Sequence, residues 1–233
     1  MDILLIPGLW LDASSWDAVI PALERAGHRA VPLTMPGTGA PAAQSADIGI
    51  SDWVGAVVAQ IDAHAEPVVL VGHSGGGNVV WGAADARPDR VARVVLVDTA
   101  LPPSGGGISE FPVVDGVIPF PGWDFFDEPD VADLDGPTRH RAAARTASVP
   151  ARVPTDPLPL RDERRFRVPV TVLSGAADQE RFTATLAEWP PYAEEFARVR
   201  ETEIVHLDSG HWPQFSRPDR LGAAIVAAVD REG

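Results

Sequence analysis

Val68-Val69-Leu70-Val71-Gly72-His73-Ser74-Gly75-Gly76-Gly77-Asn78-Val79-Val80-Trp81 is the stretch on which the reading of the whole chain turns. It opens with four consecutive apolar residues, the mark of a short strand buried on both faces. It closes on a segment with helical character. Between them stands G-x-S-x-G, with Gly72, Ser74 and Gly76 at the fixed positions. The bare pattern is weak, and the strand-turn-helix setting is what makes it specific. A turn tight enough to lift the Ser74 hydroxyl clear of a sheet forces unusual backbone angles on the serine and leaves no room for side chains beside it, a demand that glycine at 72 and 76 meets. The helix that follows aims free amides at the same spot, which favours an oxyanion there, and Gly75 supplies the first of them. A turn built for a dinucleotide phosphate needs G-x-G-x-x-G instead, and neither register of Gly72, Gly75, Gly76 and Gly77 supplies it.

Outward from this turn, further apolar runs stand at Ile3 to Ile6, Ala30 to Leu33, Val91 to Val97, Val168 to Leu173 and Glu203 to Leu207. Helix-like segments separate the early ones, so strand and helix alternate and a parallel sheet is predicted in an α/β fold. Pro218 to Asp230 spaces Leu221, Ala224, Ile225, Ala228 and Val229 by threes and fours, giving one apolar helical stripe to lay on the sheet. From Leu101 to Arg167 the alternation stops and Pro, Gly, Asp and Arg dominate. An interruption this long inside one domain is usually functional. Five of the chain's 16 aromatics, Phe111, Phe120, Trp123, Phe125 and Phe126, fall within 16 residues of it, as expected either of a lid over a pocket or of rings that fasten the insertion to the body. The predicted organisation is a core of residues 1–100 and 168–233 with a cap insertion over 101–167.

Composition bounds what such a domain could do. The chain has 233 residues, 45% apolar and 22% charged, which fits one compact domain. Its formal charge of −14 repels phosphate backbones and anionic lipid headgroups, so neither nucleic acid nor a membrane surface is an expected partner. All 19 basic residues are arginine, which removes Schiff-base chemistry and the phosphate-loop lysine. With no cysteine there is no disulfide, thiolate nucleophile or thiolate-bound zinc. Met1 to Gly8 reads as a strand and a turn rather than a signal peptide, and no run approaches the length of a membrane span. A soluble cytoplasmic protein, monomer or homodimer, is the expectation.

A serine hydroxyl needs a base to take its proton, so a histidine is required downstream. Of the six, His28 and His64 lie in helical segments before the turn, His140 in the insertion, and His206 within a strand pattern. His211, in Asp208-Ser209-Gly210-His211-Trp212-Pro213, falls in the loop between the last strand and the last helix, at the carboxyl edge where open α/β sheets bind ligands. His73 lines the cleft or packs under the turn. Two carboxylates stand where the histidine's orienting partner should be: Asp98, ending Val94-Val95-Leu96-Val97, and Asp178, after Ser174-Gly175-Ala176-Ala177. Both satisfy the chain order Ser, Asp, His. Asp178 is preferred, because its strand directly precedes the histidine's and its Gly-Ala-Ala approach is flexible; Asp98 is read as capping the segment after its strand. A metal site of His206, Asp208 and His211 is disfavoured, since the first two share a strand face and the third lies beyond a glycine turn.

With these residues placed, the chain resembles the α/β-hydrolase superfamily, in particular its small esterase-like members with a short cap. The resemblance runs over nearly the whole length, on Pro7-Gly8-Leu9-Trp10 with Trp16 beyond it, Met35-Pro36-Gly37-Thr38-Gly39, Gly72-His73-Ser74-Gly75-Gly76, Leu96-Val97-Asp98, Gly175-Ala176-Ala177-Asp178 and Gly210-His211-Trp212-Pro213. It departs from the pattern at Pro7, where histidine is more usual, and at Gly75, where a bulkier residue is. The resemblance implies an α/β-hydrolase fold, a mainly parallel sheet of about six strands with helices on both faces and a cap insertion. It implies Ser74 as nucleophile, His211 as base, Asp178 as the orienting acid, and an oxyanion hole of the Leu9 and Gly75 amides. Trp10, His73, Phe120, Trp123, Phe125 and Phe126 become the candidates for the substrate-binding wall. The expected activity is cleavage of a small or medium uncharged carboxylic ester, lactone or thioester through an acyl-enzyme, with a small ester-like molecule as partner and neither cofactor nor metal. A slow-turnover ligand receptor and a non-hydrolytic cyclase or lyase are the alternatives; the lysine-assisted hydroxynitrile lyase route is disfavoured in a chain without lysine.

Overall fold

A computed structural model of the chain describes residues 1–231. Strands β1 (Asp2–Ile6), β2 (Arg29–Pro32), β3 (Val68–His73) and β4 (Val91–Val97) come from the first half of the chain. β5 (Val117–Ile118) and β6 (Val149–Pro150) form a small antiparallel pair of their own. β7 (Val170–Ser174) and β8 (Thr202–His206) complete a six-stranded sheet in the order β2-β1-β3-β4-β7-β8, parallel throughout. All six strands coincide with the apolar runs of the sequence. The chain moves outward from β1 to β2, returns past β1 to β3, and then continues in the other direction, so the order reverses between β1 and β3. The crevice at such a switch point, beyond the carboxyl ends of the strands, is where this architecture takes its ligands.

Alternating side chains divide the core between the two faces of the sheet. Leu4, Ile6, Leu70, Val94, Leu96 and Val172 point to one face, under α3 (Ile50–Ala63) and α4 (Gly76–Ala86), which contribute Trp53, Val57, Ile61, Val79 and Val80. Ile3, Leu5, Val69, Val71, Val95 and Val97 point to the other, under α1 (Ile20–Arg25) and α10 (Pro218–Val229). The predicted stripe on α10 is the face it buries, through Leu221, Ile225 and Ala228. A short α2 (Ala42–Ser45) precedes α3, and α5 (Glu128–Val131) and α6 (Gly136–Ala143) lie in the stretch between residues 101 and 167. α7 (Gln179–Ala187) and α8 (Pro190–Ala197) join β7 to β8, and α9 (Pro213–Ser216) leads into α10. None of these helices, among the described residues, is long and apolar enough to cross a membrane.

α8 is tied to α4 by a buried polar knot. Arg165 donates to Glu195 at 2.8 Å and to Asp85 at 3.1 Å, and the Trp81 indole donates to Glu195 at 2.8 Å. Charges held this deep persist only when paired and hydrogen-bonded, so the knot fixes where α8 stands at the sheet edge.

The turn after β3 is closed by backbone on both sides. A Cβ on Gly72 would lie 2.6 Å from the Gly76 carbonyl oxygen, and one on Gly76 would lie 2.5 Å from that of Pro7 and 2.8 Å from that of Ile6. Gly55, exposed on α3, has no atom within 4 Å of a Cβ position. The same substitution therefore takes opposite signs at the two places. Gly76→Ala is expected to lower unfolding free energy by about 1–3 kcal/mol or more, as overpacking against rigid atoms does, while Gly55→Ala raises it by about 0.5–1 kcal/mol through helix propensity. Urea unfolding of both variants reads the signs, and a neutral Gly76→Ala would show that the turn has slack.

Candidate active site

β3 delivers Ser74 to the carboxyl edge with φ of +51°, a left-handed conformation that costs a non-glycine residue about 1–3 kcal/mol and survives only where its surroundings impose it. The imposition is visible: the Ser74 amide donates to the Val97 carbonyl at 3.0 Å, and the Ser74 carbonyl accepts from the Gly77 amide at 2.8 Å as α4 begins. The hydroxyl Oγ lies 2.9 Å from His211 Nε2, and His211 Nδ1 lies 2.6 Å from Asp98 Oδ2. The other oxygen of Asp98 accepts the Gly175 amide at 2.7 Å. Burial is the largest influence on the Asp98 carboxyl and works to raise its pKa, but the hydrogen bond and charge of His211, the Gly175 amide and the nearby His73 outweigh it and hold the pKa below the usual carboxylate value. Asp98 is thus an anion fixed on the histidine.

Asp178, the preferred acid of the sequence reading, is elsewhere. It is exposed, and its carboxylate caps α7 by accepting the Arg181 amide at 2.9 Å. The two aspartates exchange the positions expected of them, for a reason of sheet geometry. β4 lies beside β3, whereas β7 is one strand further out, so Asp98 stands nearer Ser74 by a strand spacing of about 4.8 Å. The loop from β8 does not stop over β7 but crosses its end: the Leu207 amide donates to Ser174 at 2.7 Å and the Ser209 amide to Gly175 at 3.2 Å. Gly175 permits the crossing. A Cβ there would lie 2.8 Å from Asp98 Oδ1 and 2.9 Å from the Gly210 carbonyl oxygen. Asp98 itself has φ of +47°, which turns it off the strand axis towards the loop.

The His211 backbone is gripped from both sides. Its amide donates to the Asp130 carbonyl at 2.8 Å, and the preceding Gly210 amide donates to Asp133 Oδ2 at 2.9 Å. From below, His73 Nε2–H donates to the His211 carbonyl at 2.7 Å, which leaves His73 Nδ1 to accept from the Gln214 amide at 3.2 Å. Burial, joined by the charge of His211, drives the His73 pKa down to about 3 against the smaller opposing effects of that hydrogen bond and of Asp98. His73 is therefore a neutral imidazole of fixed tautomer, packed under the turn and touching the floor of the cleft.

Above Ser74 is a chamber of about 260 Å³. Leu9, Trp10 and Gly75 form one side, Ile108, Phe111 and Phe126 another, with Trp212 and Tyr192 beside His211. Among the described residues neither the Leu9 nor the Gly75 amide has a hydrogen-bond partner, and the two residues are close enough that a Cβ on Gly75 would lie 3.1 Å from Leu9 Cγ. Of the rings expected on the wall, Trp10 and Phe126 are there, and Phe111 joins them. Phe120 and Trp123 stand behind: Phe120 packs edge-on against Trp10 with centroids 5.8 Å apart, and Trp123 packs against Trp212 at 5.1 Å while its indole donates to the Arg139 carbonyl at 2.9 Å. Phe125 is half exposed and lines nothing. Ile108, Trp212 and Tyr192 were not anticipated; the signals were there in Tyr192 being the chain's single tyrosine and Trp212 the neighbour of His211. His206, Asp208 and His211 do not converge, and no group of three or more His, Asp or Glu among the described residues is placed to hold a metal ion.

Set beside known proteins, residues 3–224 match the model of the alpha/beta hydrolase family. Esterase PIR7B of Oryza sativa subsp. japonica is 40% identical over 103 residues, 42% of this chain and 38% of that one. The putative carbamate hydrolase RutD of Variovorax paradoxus is 41% identical over 104 residues, 44% of this chain and 39% of that one. The chain thus matches about two fifths of the length of these curated relatives. Among solved structures, an extracellular α/β-hydrolase from a Paenibacillus species superposes with a TM-score of 0.77 at 19% identity over 98% of both chains. The methylesterase MES16 from Arabidopsis does so with a TM-score of 0.75 at 20% identity, again over 98% of both. A family match over almost the full length, on a six-stranded parallel sheet with this turn at its switch point, has one reading: the chain belongs to the alpha/beta hydrolase family.

Proposed function

We propose that the protein is a serine-dependent hydrolase of small or medium uncharged carboxylic esters. The observation that carries this reading is the unbroken hydrogen-bonded line Ser74–His211–Asp98 beneath a chamber onto which two unpartnered amides open. Esterase and carbamate hydrolase relatives support the reaction class. In this scheme Ser74 Oγ attacks the ester carbonyl carbon as its proton passes to His211 Nε2, and the carbonyl oxygen becomes an oxyanion held by the Leu9 and Gly75 amides. Asp98 holds the imidazolium in place without taking its proton. His211 then gives the proton to the departing alkoxide, the C–O bond breaks, and the alcohol leaves an acyl group on Ser74. Water repeats the sequence: its proton goes to His211, its oxygen to the acyl carbon, and the released Ser74 oxygen recovers the proton as the carboxylic acid departs. The stretch from 101 to 167 acts as the lid, since Ile108, Phe111 and Phe126 keep water from the acyl group.

Ser74→Ala is expected to cut ester turnover roughly 10³-fold or more and to abolish labelling by a serine-directed phosphonate. Full activity, or phosphonate on another residue, would refute the nucleophile.

The two aspartates separate in one experiment. Asp98→Asn should lower kcat by about 10²- to 10⁴-fold with little change in melting temperature, because it presents the wrong partner to His211. Asp178→Ala should leave kcat alone and cost about 1 kcal/mol of stability, the worth of a helix cap. The reverse pattern would return the acid's role to Asp178.

Acid acts on the stability of the fold through His73. Its pKa in the folded chain, about 3, lies below the value near 6.5 of an unfolded histidine, so the unfolded chain takes up a proton that the folded one refuses. Stability is therefore full above pH 6.5 and is lost as pH falls towards 3, by about 2 kcal/mol between pH 7 and pH 5. His73→Gln should be less stable than the parent at pH 7 but close about 2 kcal/mol of that gap by pH 5, as read by urea unfolding; parallel pH profiles would show His73 to be charged or exposed.

A further inference from the structure

The chamber over Ser74 is the smaller of two. A second, of about 410 Å³, opens on the far side of His211. It touches His211, Asp98 and Tyr192, as the first does, but neither Ser74 nor the Leu9 and Gly75 residues that bear the free amides. Its outer wall is Phe182, Leu186 and Trp189, from α7 and the turn after it. The space exists because the β7–α7 connection, Gly175-Ala176-Ala177, carries almost no side chain and its acid, Asp178, is turned away to cap α7.

The chemistry of the proposed reaction sorts an ester between these chambers. The acyl carbon must stay with Ser74 and its oxygen with the two amides, all of which belong to the smaller chamber. The leaving oxygen must face His211 Nε2, which hands it a proton. Beyond that oxygen, the larger chamber is the space that reaches His211 without touching Ser74 or the two amide-bearing residues. We infer that the larger chamber is the leaving-alcohol site, and that the preferred substrate joins a short acyl group to a bulky, apolar, uncharged alcohol. This rests on the hydrolase reading and adds its substrate class. The charge on the wall agrees with an uncharged alcohol. Asp98 is held as an anion beside His211, so an anionic group beside the leaving oxygen meets like charge there; the one cation on the wall, Arg181, is on the exposed side.

Two isomeric esters test the assignment with equal apolar surface and an alkyl alcohol in both: 2-phenylethyl acetate, with the ring on the alcohol, and methyl 3-phenylpropanoate, with the ring on the acyl group. Rates are taken per Ser74 titrated with phosphonate, so that misfolded protein does not count. The acetate is expected to have the higher kcat/KM by roughly tenfold or more, the effect of burying a phenyl ring. Thr185→Trp, at an exposed position on α7 that lines the larger chamber, should shrink that ratio by at least about fivefold by occupying the ring's place. A ratio of one or below, or a ratio that Thr185→Trp does not move, overturns the assignment of the chambers. Turnover of neither ester while the phosphonate still reacts at Ser74 overturns it too, and failure of that labelling as well would overturn the hydrolase reading beneath it.

Discussion

The site depends on how closely backbone is allowed to approach backbone at the carboxyl edge of the sheet. Ser74, Asp98 and His211 follow three different strands, and a parallel sheet places neighbouring strands about 4.8 Å apart, too far for side chains that simply point along their own strand axes to form a line. Two devices close the distance. Positive φ at Ser74 and Asp98 turns each residue off its strand, and glycine at 72, 76 and 175 lets main chain pass where any Cβ would collide. The crossing of the β8 loop over Gly175 carries the most: without it His211 would stand over β7, in reach of neither the hydroxyl nor the acid.

How much of this the sequence discloses follows from the same distinction between local and long-range geometry. The four inner strands are legible because burial on both faces demands near-continuous Val, Ile and Leu, the half-buried edge strands β2 and β8 from shorter apolar runs, and α10 because a single apolar stripe has only one way to lie on a sheet. Ser74 is legible because its demands are met by its immediate neighbours. His211 is legible from its loop. Asp98 and Asp178 are not distinguished by any local signal, since both end a strand and both precede the histidine; what separates them is sheet order and the path of one loop. Gly175 in sequence suggests a flexible approach to Asp178, and in the fold it gives the histidine loop a way past to Asp98. The aromatic cluster shows the same limit. Ring content announces burial, but whether a ring meets substrate or another ring depends on partners such as Trp10 and Trp212 that lie far away in the chain.

Burial sets the charge states of the site as well as its shape. Asp98 and His73 are both taken out of water, with opposite outcomes, because only at Asp98 do the partners that favour the charged form outweigh burial. Asp98 receives the His211 ring and the Gly175 amide and remains an anion, so the pair is ready to hold an imidazolium. His73 offers its one N–H to a carbonyl, which satisfies a neutral ring, and its other nitrogen accepts an amide, which a protonated ring could not do. The neutral His73 thus supports His211 through a carbonyl without placing a positive charge beside it.

That support has a counterpart above. The His211 amide and the Gly210 amide are held by Asp130 and Asp133, both from the stretch between 101 and 167, while its carbonyl is held by His73 from the sheet. His211 is therefore positioned jointly by the sheet and by the stretch between 101 and 167. Phe126 on the chamber wall, Asp130 on the His211 amide and Asp133 on the Gly210 amide lie within eight residues, so the geometry of His211 and the closure of the space over Ser74 are coupled through one short stretch. In the proposed reaction, whose charged intermediates gain most from a dry, fixed environment, that coupling would tie the aligned state of His211 to the state in which the Leu9 and Gly75 amides are shielded from solvent.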